Sequence, residues 1–315
     1  MIIKKIYEHK LKKYRNKINN QLTQIVQNKI DDDKIIEMMH YALESGRRFR
    51  PLLFLLTYKI FQPELDNKTY QMATAIELLH KASLVHDDYL DGDKYRRGKA
   101  SFYHKYGDRM AVIVGDILVS LAFEEFLKAT NDPYLVQSWS RLYRLLALGE
   151  AKDLIWEGNQ DIDTEKLKSM IYGKTASFLE FVMIAGCYLA TRNQKLATKM
   201  GQFGKEIGFA FQIMNDLNNW CGLEKKLGRL PQQDIISGKV NLVTRLVQQY
   251  QTSVIDPAKL KERVTNEAKE LALQHIKAAY CILENLDINN KYTKVLASLL
   301  KEFDQEWFWV DRDDQ

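Results

Sequence analysis

Apolar residues recur at three- and four-residue intervals along most of the chain, in blocks set apart by short polar breaks, which predicts helices. Residues 3–29 alternate basic and apolar positions at that spacing and predict a peripheral first helix. The polar break Asp31–Asp33 has N-cap character for a second helix over 34–43. That helix runs into SGRRFRPLL (45–53), where Gly46 allows a turn and Pro51 suits the first turn of a third helix. Thr69–Asp91 reads as one long apolar helix. From Tyr106 a buried helix follows, broken near Gly107, and Pro133 opens another that reaches GEAKDLIWEGN (149–159). Asp163 and Thr164 start a helix containing YGKTASFLEF (172–181), in which Gly-Lys-Thr predicts a local kink. Further helices are predicted over Leu196–Asn219, Ala258–Leu286 and Tyr292–Phe308.

No strand pattern, internal repeat or linker interrupts this series, so an all-α, single-domain chain over 1–315 is expected, with residues 1–30 peripheral. Composition agrees, since 46% of residues are apolar and the five prolines fall where helical patterns begin or break. The net charge of +5 comes from scattered lysines, which suits solubility and anionic substrates and argues against nucleic-acid binding. Cys187, Cys221 and Cys281 lack metal spacing and are expected to be buried thiols in a reducing compartment. The first residues contain no signal-type apolar core. The longest apolar run, Ala111–Phe123, is broken by Asp116, so no transmembrane segment and a cytoplasmic location are expected.

The chemistry gathers between His80 and Gly98. If 83–91 is helical, Asp87 and Asp91 project from one face with Asp88 beside them. Carboxylates crowded this way repel one another and raise each other's pKa unless a cation lies between them, which points to a divalent metal. Oxygen ligation favours Mg²⁺, and the adjacent Arg96 and Arg97 are what a diphosphate needs. A solvated acidic helix end shares the bare DDxxD spacing. The apolar helix leading in and the RRG following distinguish this stretch from it.

DDYLDGDKYRRG (87–98) resembles the first aspartate-rich motif of the all-trans polyprenyl (isoprenyl) diphosphate synthases, and the similarity extends over most of the chain. GRRFRP (46–51) is similar to their GKRxRP, with Arg47 where lysine is usual. Lys174 and Thr175 match their GKTA. FQIMNDLNN (211–219) stands where they carry FQxxDDxxD, so Asn215 and Asn219 replace two acids around Asp216. The loop GRLPQQDIISGK (228–239) resembles one that closes over the site, with Arg229 for lysine and Lys239 matching.

The resemblance implies the isoprenoid-synthase (class I terpenoid synthase) fold, a helical bundle around a central cavity, and a trans-prenyltransferase that joins isopentenyl diphosphate to an allylic diphosphate. It implies Mg²⁺ on Asp87, Asp88 and Asp91 and, across the second motif, on Asn215, Asp216 and Asn219. Arg96, Lys174, Thr175 and Gln212 would hold the allylic diphosphate. Arg47, Arg50, His80 and Arg97 would hold isopentenyl diphosphate, with Arg229 and Lys239 on the closing loop. Asp153 lies where relatives line the cavity, His86 has no such counterpart and reads as structural, and a homodimer is usual. The small residues Ala82 and Ser83, one turn before Asp87, imply a product longer than farnesyl, geranylgeranyl or beyond, with Leu79 helping to set the limit.

The neutral second motif leaves three readings open: a working synthase, a class I terpene cyclase, or a non-catalytic regulatory subunit or peptide-prenylating relative. A cyclase has no use for Arg47, Arg50 and His80 together. Nothing in a purely structural role requires DDxxD, RRG and GKTA to coexist.

Overall fold

The computed structural model describes residues 2–44, 46–159, 161–221, 238–251 and 256–305, with side chains described from 11 to 301 within these ranges. Residues 1–136 with 185–192 form one compact unit, and residues 137–184 with 193–315 form another.

The first unit is built on α4 (Asn67–Leu90), which packs against α1 (Ile2–Lys29), α2 (Asp33–Glu44), α3 (Phe49–Phe61), α5 (Phe102–Tyr106) and α6 (Asp108–Ala129). Asp66 starts α4 by accepting the Thr69 N–H at 2.8 Å, and Asp32 caps α2 by accepting from the Lys34 and Ile35 N–H groups. Every residue from Met72 to Leu79 is buried, so α4 has no solvent face over this stretch, as expected of a helix that is central to its unit. Phe54 of α3 is likewise fully buried, and truncating a core aromatic of this kind costs about 3–5 kcal/mol. Burying α4 also buries Glu77, which is matched by Arg48. The guanidinium binds Glu77 Oε1 at 2.7 Å, Asn19 Oδ1 at 2.8 Å and the Leu43 carbonyl at 2.5 Å, and so ties four segments together.

In the second unit α10 (Gln194–Cys221) packs against α11 (Leu242–Gln251) and α12 (Pro257–Glu284). Its core gathers Leu167 and Met170 of α8 (Thr164–Ile171), Phe209, Ile213 and Leu217 of α10, Val243 and Val247 of α11, and Val264 and Ala268 of α12. Asp163 and Asp256 cap α8 and α12 through side-chain bonds to the Lys166 and Ala258 N–H groups. The unit also holds most of α7 (Pro133–Trp156), the first part of α9 (Ser177–Thr191), and α13 (Lys291–Gln305).

The expected helices are present with ends shifted by a few residues, α11 was not among them, and three further details differ from expectation. The loop after Asp91 contains a two-stranded antiparallel hairpin, β1 (Tyr95–Arg96) and β2 (Lys99–Ala100). The kink at Gly-Lys-Thr is a π-helical turn over Tyr172–Ala176, in which one extra residue is inserted without ending the helix. Cys187 is buried, but Cys221 is only half-buried and Cys281 is exposed, because α12 turns that position to solvent. Arg229, most of its loop and the residues beyond 305 lie outside the described residues. Among the described residues no helix is long and apolar enough to cross a membrane.

Candidate active site

The carboxyl end of α4 carries the acid cluster. Asp87 and Asp88 are its last acids, and Asp91 caps it, its N–H bonded to the Asp87 carbonyl at 2.8 Å. Arg97 and Gly98 both take positive φ, 54° and 75°, between Arg96 and its cross-strand partner Lys99, which is the two-residue type I′ geometry that suits glycine at the second position. This tight reversal carries Arg96 back onto the helix end. Its Nε donates to Asp88 Oδ1 at 2.5 Å and its Nη2 to Asp87 Oδ2 at 3.1 Å. Burial pushes Asp88 up to about 6 against the pull of Arg96, and Asp87 and Asp93 add to the rise. Burial alone would depress Arg96, but Asp88 and Asp87 outweigh it and hold the guanidinium above its ordinary value. Three carboxylates with one guanidinium leave negative charge at a partly buried helix end. That oxygen donor set fits a hard divalent cation such as Mg²⁺.

The same unit forms a cationic nest. The three arginines of GRRFRP divide: Arg48 is consumed by Glu77, Arg47 is half-buried in the turn, and Arg50 reaches His80 with Nη1 3.1 Å from Nε2. Burial lowers Arg50 to about 10, and burial together with Arg50, Lys81 and Arg97 holds His80 well below its usual range, so the imidazole is neutral at pH 7. His86 is a packing residue. Its ring fills the space above Gly115 of α6, where a side-chain carbon would lie 1.9 Å from Nε2.

In the second unit the π turn is clasped by two glycines. A Cβ on Gly149 of α7 would sit 2.3 Å from the Lys174 nitrogen, and one on Gly208 of α10 would sit 2.4 Å from Ala176 Cα. Backbones this close bring the next side chains into contact. Lys174 Nζ lies 2.6 Å from Asp153 and 3.1 Å from Glu150 on α7. Toward α10, the Thr175 hydroxyl donates to Gln212 Oε1 at 2.6 Å, and Gln212 Nε2 donates to Asp216 Oδ1 at 2.7 Å. Asn219 is buried, Asn215 is half-buried, and Lys239 is half-buried next to Gly238, whose carbonyl accepts the Gly158 N–H at 2.9 Å. The second motif thus keeps oxygen donors but only one formal charge.

Residues 32–283 match the family model for polyprenyl synthetase. The chain belongs to the polyprenyl synthetase family. Over 307 residues, 92% of this chain and 90% of the relative, it is 28% identical to the geranylgeranyl diphosphate synthase of Saccharolobus solfataricus. It is 31% identical to that of Sulfolobus acidocaldarius over 239 residues, 73% and 72% of the two chains. The crystal structure of geranylgeranyl pyrophosphate synthetase from Pyrococcus horikoshii Ot3 superposes with a TM-score of 0.82 at 28% identity, covering 95% of this chain and 99% of that one. The all-α fold expected from the periodicity is therefore that of the isoprenyl diphosphate synthases, and the chain is a prenyltransferase of this polyprenyl synthetase family.

Two groups of this polyprenyl synthetase, one in each unit, were not singled out from the sequence. Glu150 shares Lys174 with Asp153, and Lys81 is buried beside the cationic nest. The signal for Lys81 was available, since a lone ammonium interrupts the apolar run that leads to Asp87.

Proposed function

We propose that this chain is a trans-prenyltransferase that condenses isopentenyl diphosphate with an allylic diphosphate to give an all-trans polyprenyl diphosphate of geranylgeranyl length or longer. The observation that carries the reading is the clasp of Arg96 on Asp87 and Asp88 within the unit that also holds the Arg50–His80 pair. One unit thus offers both a seat for a hard cation and a separate cationic nest, and two diphosphate substrates require both. A cyclase, with one substrate, has no use for the nest. The geranylgeranyl diphosphate synthases among the relatives support the product class.

Asp87, Asp88 and Asp91 would hold Mg²⁺, with Asn215, Asp216 and Asn219 as a weaker oxygen set. When bound, Mg²⁺ supplies charge to the departing diphosphate. Arg96, Lys174, Thr175 and Gln212 orient the allylic diphosphate, and their fixed positive and hydrogen-bonding groups stabilise the negative charge that grows as the C–O bond ionises. Arg47, Arg50, His80 and Arg97 hold isopentenyl diphosphate, with Lys239 and Arg229 contributing from the loop. Apolar residues on α4, including Leu79 and Ala82, keep water from the allylic cation. The exposed Val112, Ile113, Phe123 and Leu127 along α6 support a homodimer.

The test is a single incubation with Mg²⁺, isopentenyl diphosphate and allylic starters of each length, analysed by mass. Extension by five-carbon units is expected. A cyclised hydrocarbon, or no consumption of isopentenyl diphosphate with any starter, would overturn the reading.

A further inference from the structure

Lys81 follows His80 on α4, and its side chain is buried at 3% exposure. Long ammonium side chains are seldom taken out of water without a purpose or a matching acid. The charged groups around it are Glu77, Arg48, Arg97 and Arg96. Arg96 is engaged with Asp87 and Asp88, and Glu77 is engaged with Arg48 at 2.7 Å. Gly46 supplies the geometry. Its φ is +124°, and a side chain there would meet Arg48 Nη1 and Arg97 Nη1 at 3.4 Å and Lys81 Nζ at 3.5 Å. Three basic nitrogens from three segments therefore lie within 3.5 Å of the point that a Gly46 Cβ would occupy. Arg50 stands at the same nest through His80. Among the described residues Glu77 is the acid that acts on both Arg50 and Lys81, whereas Arg48, Arg96 and Arg97 act on Lys81 as like charges, so positive charge predominates at this sheltered nest and favours a multiply charged anion.

We infer that Lys81 is an anion-binding residue of the isopentenyl diphosphate subsite, and that its Nζ takes a proton from bulk buffer as the diphosphate docks beside Arg97 and Arg50. The inference rests on the function proposed above, and it adds to that reading a residue and a proton. No other bond is made or broken: the amine lone pair binds the proton, and the resulting ammonium faces the diphosphate oxygens. Burial, aided by Arg48, Arg97 and Arg96 and opposed by Glu77, lowers Lys81 to about 7, so much of it is unprotonated above neutrality until an anion restores its charge. His80, held neutral, does not supply that charge.

Calorimetric titration of the Mg²⁺-free full chain with isopentenyl diphosphate at pH 8, in two buffers of different ionisation heat, reads the proton directly. The wild type is expected to take up roughly half a proton or more per ligand beyond the uptake of Lys81→Arg, whose guanidinium is already charged. Terminal ionisation of the ligand, near pH ~6, is common to both proteins and cancels. In turnover, Lys81→Met is expected to raise KM for isopentenyl diphosphate about tenfold, leave KM for the allylic starter within about twofold and not lower the melting temperature. Lys81→Arg, charged throughout, is expected to flatten the rise of the isopentenyl KM between pH 7 and pH 9 that the wild type shows. Equal proton uptake by wild type and Lys81→Arg, or an unchanged isopentenyl KM in Lys81→Met, would overturn the inference and leave Lys81 as a partner of Glu77. In that event continued product formation keeps the synthase reading standing. Absence of any product from the wild type would sink that reading instead, while the calorimetry still decides the role of Lys81.

Discussion

Arg96 Nε lies 2.5 Å from Asp88 Oδ1, so a guanidinium fixed by a two-residue turn is the built-in countercharge of the acid cluster at the end of α4. Removing it in Arg96→Ala leaves the buried Asp88 carboxylate without its strongest partner. Because Arg96 is about one-third exposed, the expected loss of stability is discounted to roughly 1–3 kcal/mol. Product formation is expected to fall at least 100-fold, since the same group orients the allylic diphosphate. Urea unfolding in EDTA and a radiolabelled isopentenyl assay read the two effects, and an unshifted midpoint would show that the clasp contributes nothing to folding.

Asp88 makes stability depend on pH with a definite sign. Its folded pKa, about 6, lies above the ordinary 3.8, so between these values the native state binds the proton more tightly than the unfolded chain. Its contribution therefore falls as pH rises from about 4 to about 6, by up to ~3 kcal/mol, and is level above that. Asp88→Asn has no such titration. The stability of wild type minus that of the variant, from urea unfolding in EDTA, should decline across this window. A flat difference would mean that Arg96 offsets burial completely.

Gly149→Ala tests the clasp of the π turn. The new Cβ would lie 2.3 Å from a backbone nitrogen, which cannot swing away as a side chain can. A cost of about 1–3 kcal/mol is expected, with a fall in kcat as Lys174 shifts from Asp153. A melting temperature and kcat equal to wild type would show that α7 and the turn separate easily.

Restoring acids in Asn215→Asp with Asn219→Asp should lower the Mg²⁺ concentration for half-maximal turnover, because a carboxylate adds charge where an amide offers only a carbonyl. An unaltered Mg²⁺ titration would show that neither asparagine is a ligand.

Ser83 is half-buried one turn before Asp87, with its hydroxyl bonded to the His80 carbonyl at 2.8 Å, whereas Ala82 is almost fully enclosed. Ser83→Phe places an aromatic ring at the more open of the two positions and should shorten the product. Chromatography of the dephosphorylated alcohols checks this, and an unchanged chain length would place the limiting wall elsewhere.

The acid cluster was legible because it is local. A helix brings residues four apart onto one face whatever surrounds it, so Asp87 and Asp91 could be paired by counting. The fate of the arginines in GRRFRP could not be counted in that way. Arg47, Arg48 and Arg50 look equivalent along the chain, yet Arg48 alone is withdrawn to Glu77, because α4 has no solvent face over Met72–Leu79 and its buried carboxylate demanded a cation. Lys174 was recognised by its motif, but its hold on Asp153 and Glu150 comes from a glycine-to-backbone approach between α7 and the π turn, which spacing does not encode.

By itself the amino-acid order determined most of the helices, the carboxylates at the end of α4 and the chemistry they suit, since backbone geometry and side-chain type act over a few residues. Only the tertiary structure decided which charges are sheltered from water and which partner each receives: Arg96 for Asp88, Glu77 for Arg48, and a nest of cations around Gly46 that includes Lys81. The reason is that desolvation and Coulomb attraction depend on distance in space, and these groups lie from 8 to 51 residues apart along the chain.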